Sequence, residues 1–428
     1  MVNYQSNISV ESHSLDEQYT KHPSMPLQAF NGLPADVAFC KQCVISNQRP
    51  SSTIEFKHTA NEKKQVINFD NEGVCSACRF HDEKEQGIDW QQKEEQLKEL
   101  LSRFRRTTGG YDVIVPGSGG KDSAYTAHIL KYKYGMNPLT VTWAPHLYTD
   151  IGWKNMQNWM HVGGLDNILF TPNGKLHRLL TRLAFVNLLH PFQPFIVGQR
   201  IIGPAMAAKF DVPLVMYGEN QAEYGNAIDE NEKPKMDEKF FSVQDPGDIV
   251  LGGKTITQIM DEYGYSINDF TPYIAPKKEL LEKHNVEVHY LGYYLKWDPQ
   301  ECYYYAVEHT GFQANTERTE GSYSKYSSID DKIDVFHYFT TLIKFGIGRA
   351  TYDASQEIRN GKITREEGVH LVRKFDEEFP KKYFPEFLEY VGLTEQEFWD
   401  VVDQYRSPHL WYKDDGGHWQ LRHRIWEG

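Results

Sequence analysis

The stretch Asp112-Val-Ile-Val-Pro-Gly-Ser-Gly-Gly-Lys-Asp-Ser123 decides the reading of this chain: an apolar strand breaks into a glycine turn, and a helix follows from Ser123. An unbroken Val-Ile-Val run suits a strand buried on both faces, as in a parallel sheet. Glycines let the backbone approach a ligand without a Cβ in the way, and the free N–H groups of a helix start favour phosphate. Ser118 and Ser123 add hydroxyl donors, and Lys121 can balance developing negative charge. The expected catalytic set is therefore Lys121, Asp122 and Ser118, and the expected nucleotide contacts are Ser118, Gly119, Gly120, Lys121, Asp122 and Ser123. A kinase-type P-loop needs Ser or Thr directly after the lysine, where Asp122 stands, and a dinucleotide fingerprint needs a glycine at that same position.

Outward from the loop, strands and helices alternate. Strands are expected at Leu139–Trp143, Asn167–Phe170 and Pro213–Tyr217, with helices over Ser123–Tyr134, Gly152–Met160, Leu176–Leu189 and Gly198–Phe210. Such alternation predicts an α/β fold, a parallel sheet with helices on both faces. Ligands in such sheets sit at the carboxyl ends of the strands, so Glu219 and Asn220, just past Tyr217, suit nucleotide or magnesium, and equally an ordinary polar loop. Beyond about Gly225 helices take over. Thr364 with Glu367 and Thr394 with Glu397 read as capping boxes, and Gly361 and Gly392 as helix stops.

Upstream, Cys40 and Cys43 pair with Cys75 and Cys78 as two C-x2-C knuckles separated by 31 residues. Four thiolates so arranged predict a closed, structural zinc site, with an iron–sulfur cluster or a redox dithiol as the competing readings. Short β segments are expected at Ser52–Lys57 and Gln65–Phe69, with a turn over Asp70–Gly73. The resulting organisation is a polar arm at 1–36, a four-cysteine zinc-knuckle subdomain and helical linker at 37–107, the nucleotide domain at 108–245, and a mainly helical substrate or partner region at 246–428.

The 428 residues carry a formal charge of −13, which offers no general field for nucleic acid or an anionic membrane. No segment reaches the roughly 18 uninterrupted apolar residues of a membrane span. With clustered rather than dispersed cysteines, a reducing cytoplasm is expected.

Ser-Gly-Gly-x-Asp-Ser over Ser118–Ser123 resembles the PP-loop of the ATP pyrophosphatase superfamily, which includes GMP synthetase, NAD synthetase, argininosuccinate synthetase and tRNA thiolases. The resemblance implies magnesium-assisted cleavage of ATP to AMP and pyrophosphate. From Cys40 nearly to the end, the chain looks like the N-acetyl sugar amidotransferases of bacterial O-antigen (lipopolysaccharide) and nonulosonic-acid biosynthesis. The matching stretches are Cys40–Cys43, Gly73–Cys78, Gly117–Ser123, Glu317–Gly321, Ser327–Asp334, Lys344–Thr351 and Ile358–Glu367. This resemblance implies that a sugar acetamido oxygen is adenylylated and replaced by ammonia from a separate HisH-like glutaminase. Val2 stands where an N-terminal-nucleophile glutaminase needs cysteine, and Cys302 lies in an aromatic, helical setting rather than a glycine-rich elbow. A tRNA thiolase is the alternative reading, but it calls for a basic RNA face and a sulfur-carrying cysteine, and Cys302 is the one spare.

Arg318, Lys325, Arg349, Arg359 and Arg365 form a set suited to a diphosphate or carboxylate, or to solvated helix pairing. The aromatic residues of Tyr290–Trp297 and Tyr303–Tyr305 suit sugar stacking or core packing. His177, His190 and His337 lie in apolar segments and read as core histidines.

Overall fold

The structure, a computed structural model, describes residues 16–219, 221–226 and 233–427. Asn220 and the first 15 residues of the expected arm lie outside them. A five-stranded parallel sheet organises the chain: β1 (Val113–Pro116), β2 (Pro138–Trp143), β3 (Asp166–Phe170), β4 (Leu214–Tyr217) and, after a small hairpin of β5 (Val250–Leu251) and β6 (Lys254–Thr255), β7 (Glu287–Tyr290). The order is β3-β2-β1-β4-β7, so the chain builds outward from β1 on one side and then returns to its other side at β4. That reversal leaves a crevice at the carboxyl ends of β1 and β4.

The sheet is covered on both faces because β1 is apolar at every step. Ile114 joins a core cluster with α5 (Gly174–Leu188) and α6 (Gln193–Phe210), while Val113 and Val115 join the cluster of α2 (Trp90–Phe104), α3 (Lys121–Tyr132) and α4 (Asp150–His161). Neighbouring strand residues point to opposite faces, so one Val-Ile-Val run binds two layers together. The strands and helices expected between residues 112 and 217 are all present, with ends shifted by a few residues.

The fifth strand lies past residue 245, where the sequence suggests mainly helix. Glu287-Val-His-Tyr290 is short and mixed in polarity, as an edge strand is, and its register with Leu214–Tyr217 comes from tertiary pairing. The segment Ser52–Lys57, expected as a strand, instead forms a 3-10 turn at Glu55–Lys57. There the Glu55 carbonyl accepts from Gln193 Nε2 of α6 at 2.7 Å, which takes it out of any ladder.

Residues 16–36 are held in place. Arg422 donates to the carbonyls of Gln18, Thr20 and Lys21, and Tyr19 Oη donates to the Arg406 carbonyl at 2.6 Å. The C-terminal region contains α9 (Pro299–Thr310), α10 (Asp334–Phe345), α11 (Arg349–Arg359), α12 (Arg365–Phe375), α13 (Phe384–Val391) and α14 (Glu395–Gln404), preceded by α7 (Ile256–Tyr263) and α8 (Lys278–Lys283). Both expected capping boxes form, at the starts of α12 and α14. Phe387 and Phe398 pack on Phe185 of α5, and Phe336 on Phe387, so α10, α13 and α14 share the core of the sheet domain. No helix of the described residues is long and apolar enough to cross a membrane.

Candidate active site

The glycine turn after β1 is shaped by three different constraints. A Cβ at Gly117 would stand 2.1 Å from Ser123 Cβ, and one at Gly119, whose φ is +81°, would stand 3.0 Å from Met156 Cα of α4. Those two glycines are required by packing. Gly120 is different, because its Cβ would meet only Ser118 Oγ at 3.8 Å, so its backbone is open on the ligand side. Gly120 also N-caps α3 without any side-chain hydrogen bond to the first turn. The leading N–H groups of α3 are thereby left for an anion.

This turn forms the floor of a cavity of about 650 Å³, within the range of small-molecule sites. Lys121 Nζ donates to Asp122 Oδ2 at 2.5 Å, while Asp122 Oδ1 is buried with no partner among the described residues. Burial works against the Lys121 ammonium, but the carboxylates of Asp122 and Glu219 outweigh it and hold its pKa above the ordinary lysine value. The structure thus gathers Ser118, Gly119, Gly120, Lys121, Asp122, Ser123 and Glu219 around one cavity.

The facing wall comes from the C-terminal region. Asp330 is pinned from behind by the start of α4: Thr149 N, at its N-cap, donates to the Asp330 carbonyl at 3.1 Å, and Gly152 in its first turn packs so tightly that a Cβ there would stand 2.4 Å from Asp330 Cα. Its neighbour Asp331 accepts from His146 N and Nδ1, both at 2.7 Å. Burial pushes the Asp330 carboxyl up, against a hydrogen bond from Ser118 that favours its charged form. Asp334, at the start of α10, is pushed up to about 7 by burial, although Arg349 and a Ser328 hydrogen bond oppose this. Arg349 pairs with Asp353 at 3.0 Å and lies 4.2 Å over the Tyr338 ring. Burial disfavours its charge, but Asp353, Tyr338 and Asp334 more than compensate and raise its pKa.

Of the five basic residues singled out, Arg349 and Arg359 line the cavity. Arg318 is bound by both oxygens of Glu378 at 2.6 and 2.7 Å, Lys325 is exposed on the Thr316 carbonyl, and Arg365 donates to the carbonyls of Cys43 and Cys40. Arg49 and Arg200 line the cavity without having been singled out. Of the aromatic cluster, Tyr290 reaches the cavity, while Tyr294 and Trp297 are core. His177 bonds Tyr273 Oη at 2.7 Å and His190 faces Glu55 at 3.4 Å, as core histidines do. His337 departs from that reading, for it lines the cavity. The signal for this wall was the stretch Ser327–Asp334, which carries Asp330 and Asp334 but gives no indication of what either faces.

The four knuckle cysteines converge. Cys40 and Cys78 sulfurs lie 3.9 Å apart and Cys43 and Cys75 sulfurs 3.8 Å, all four being buried and within 4.8 Å of one another. Four thiolates around one tetrahedral ion at ~2.3 Å stand ~3.8 Å apart, so the set fits a single metal ion with no open coordination position. Lys84 and Glu223 then fasten the knuckle to the loop after β4 by a buried ion pair at 3.0 Å.

Residues 320–425 match the family model described as "LPS biosynthesis protein WbpG-like, C-terminal domain". This stretch is similar to a WbpG-like C-terminal domain. That stretch supplies Ser328, Asp330, Tyr338 and Arg349 to the cavity, and the motifs Lys344–Thr351 and Ile358–Glu367 fall inside it. The chain is 33% identical over 84 residues to an uncharacterized protein of Methanocaldococcus jannaschii, a stretch covering 20% of this chain and 29% of that one. Among solved structures it is similar to the NH3-dependent NAD synthetase of Campylobacter jejuni (TM-score 0.24, 15% identity, 52% of this chain and 84% of that one). It is also similar to the NMN synthetase of Francisella tularensis (0.27, 12%, 67% and 96%) and to the U34-tRNA thiolase NcsA of Methanococcus maripaludis with its [4Fe-4S] cluster (0.28, 12%, 78% and 88%). At TM-scores this low the likeness bears on neither substrate nor cofactor.

Proposed function

We propose that the protein is an ATP-dependent, AMP- and pyrophosphate-forming amidotransferase that converts a sugar acetamido group into an acetamidino group for lipopolysaccharide O-antigen or nonulosonic-acid biosynthesis. The observation that carries this is the shared cavity. An uncapped helix start on a PP-loop motif faces a wall from a WbpG-like domain, with Lys121 between them.

The β and γ phosphates of ATP lie on the N–H groups at the start of α3, with Ser118 and Ser123 as hydroxyl donors. The Asp122 and Asp330 carboxylates, oxygen donors of the kind magnesium prefers, would hold that ion, which would neutralise phosphate charge. The acetamide oxygen attacks the α phosphorus and pyrophosphate leaves, because an unactivated amide has no adequate leaving group. Ammonia then forms a C–N bond at the same carbon, AMP departs with the C–O electron pair, and a proton is released. Neither step needs a protein nucleophile, so placement and charge stabilisation by Lys121 and Arg349 carry the rate. Ammonia comes from a separate HisH-like glutaminase.

Zinc in the knuckle is structural in this account. Cys302 is buried in the core, and burial pushes its thiol well above the ordinary range, which leaves it poorly suited to carry sulfur. The test is product analysis with Mg-ATP, ammonium ion and a panel of free and nucleotide-linked acetamido sugars. A product in which NH replaces O, formed with AMP and lost in Lys121→Ala, supports the reading. AMP formation only with tRNA and a sulfur donor contradicts it.

A further inference from the structure

A second, far smaller pocket shares part of the cavity wall. Beside the cavity lies a neck of about 20 Å³, room for one or two water-sized molecules and not for a sugar. Lys121, Tyr326, Asp353 and Gln356 border both spaces. Gln300 on α9 and Asn360 at the end of α11 also line the neck, on its surface side. Gln300 Nε2 donates to Tyr304 Oη at 2.9 Å, and Tyr304 is 52% exposed, which places this side at the surface.

The neck walls are rich in acceptors. Asp298, Asp353 and Glu357 line it, against the cations Lys121 and Lys362. Lys362 is engaged by Asp298 and Glu301, each at 3.2 Å, and Asp353 by Ser322 Oγ at 2.5 Å and Arg349 at 3.0 Å. Tyr326 is stacked on Tyr303 at 4.2 Å between centroids, which fixes the inner wall. A passage of this width and polarity suits a very small hydrogen-bond donor.

We propose that this neck is the entrance by which ammonia reaches the activated sugar, separate from the mouth used by ATP and sugar. The inference rests on the amidotransferase reading. A nucleotide and a sugar together fill a cavity of this size, so a third reactant arriving after both needs its own approach. The neck opens beside Lys121, at the loop where the leaving nucleotide is held, and so delivers ammonia to the carbon from which AMP departs.

Gln300→Trp and Asn360→Trp obstruct the neck from its two walls, and melting curves report whether each variant is folded. In a folded variant the KM for ammonium should rise by about tenfold or more, while the KM for ATP and for sugar stays within about twofold. Gln300→Ala, which widens the neck, should let methylamine replace ammonia where the wild type does not. An unchanged ammonium KM in the obstructed variants, or methylamine use equal in wild type and Gln300→Ala, overturns the entrance. A wild type that makes no amidine from ammonium at any concentration sinks the amidotransferase reading instead.

Discussion

The Lys84 ammonium sits 3.0 and 3.1 Å from the two carboxylate oxygens of Glu223 and 3.0 Å from the Trp297 carbonyl, with both side chains at most 5% exposed. It joins α1 (Ser76–Gln86) of the cysteine subdomain to the loop after β4, whose beginning lines the cavity. Breaking such a pair strands a buried charge. Lys84→Met should destabilise the protein by about 3–5 kcal/mol, and Lys84→Met with Glu223→Leu should recover much of that. Denaturant melts of the single and double variants measure it; equal losses in both would show that the pair is not the cause.

Gly117 and Gly120 should fail differently when changed to alanine. Gly117→Ala drives a Cβ into Ser123 and should lower the unfolding midpoint, whereas Gly120→Ala has room and should fold normally. Its methyl group would then occupy the space through which phosphate approaches, weakening ATP binding by about tenfold or more. Calorimetric titration of ATP together with melting curves separates the two outcomes.

The sheet around these glycines was readable because periodicity and turn chemistry are local signals. Val113–Val115 had to be buried on both faces, and Gly117–Gly120 could not continue a strand. The far wall was not readable in the same way. Arg349 and Arg318 look alike in sequence, yet one stands at the cavity beside Asp353 while Glu378 holds the other away from it. Which carboxylate meets which arginine is settled by how α10, α11 and the strand domain pack together. For the same reason the edge strand Glu287–Tyr290 went unread.

Lys344 is buried with its ammonium on the Leu188 carbonyl at 2.7 Å, and burial, with Lys64 nearby, brings its pKa down to about 7. The folded state therefore holds fewer protons than the unfolded state between about pH 7 and the ordinary lysine value of 10.5. Stability should rise with pH across that window, by at most about 1.4 kcal/mol per pH unit from this group. Lys344→Met should be more stable than wild type at neutral pH and should lose that part of the slope. Urea midpoints from pH 6 to 9 decide it, and parallel profiles would contradict it.

The cysteine cluster should bind one zinc ion per chain and no acid-labile sulfide. Removing the ion with a chelator should lower the melting temperature and loosen α12, since Arg365 holds the carbonyls of Cys40 and Cys43. Elemental analysis with melting curves checks both, and iron with sulfide would replace zinc by a cluster.

The central claim is that the acetamide oxygen itself is adenylylated, and one labelling experiment tests it most directly. The sugar is supplied with heavy oxygen in its acetamido group, and the AMP formed in a single turnover is analysed by mass spectrometry. The account predicts that the heavy oxygen appears in AMP and that the sugar loses it. AMP without label, alongside a sugar that keeps its heavy oxygen, would contradict it.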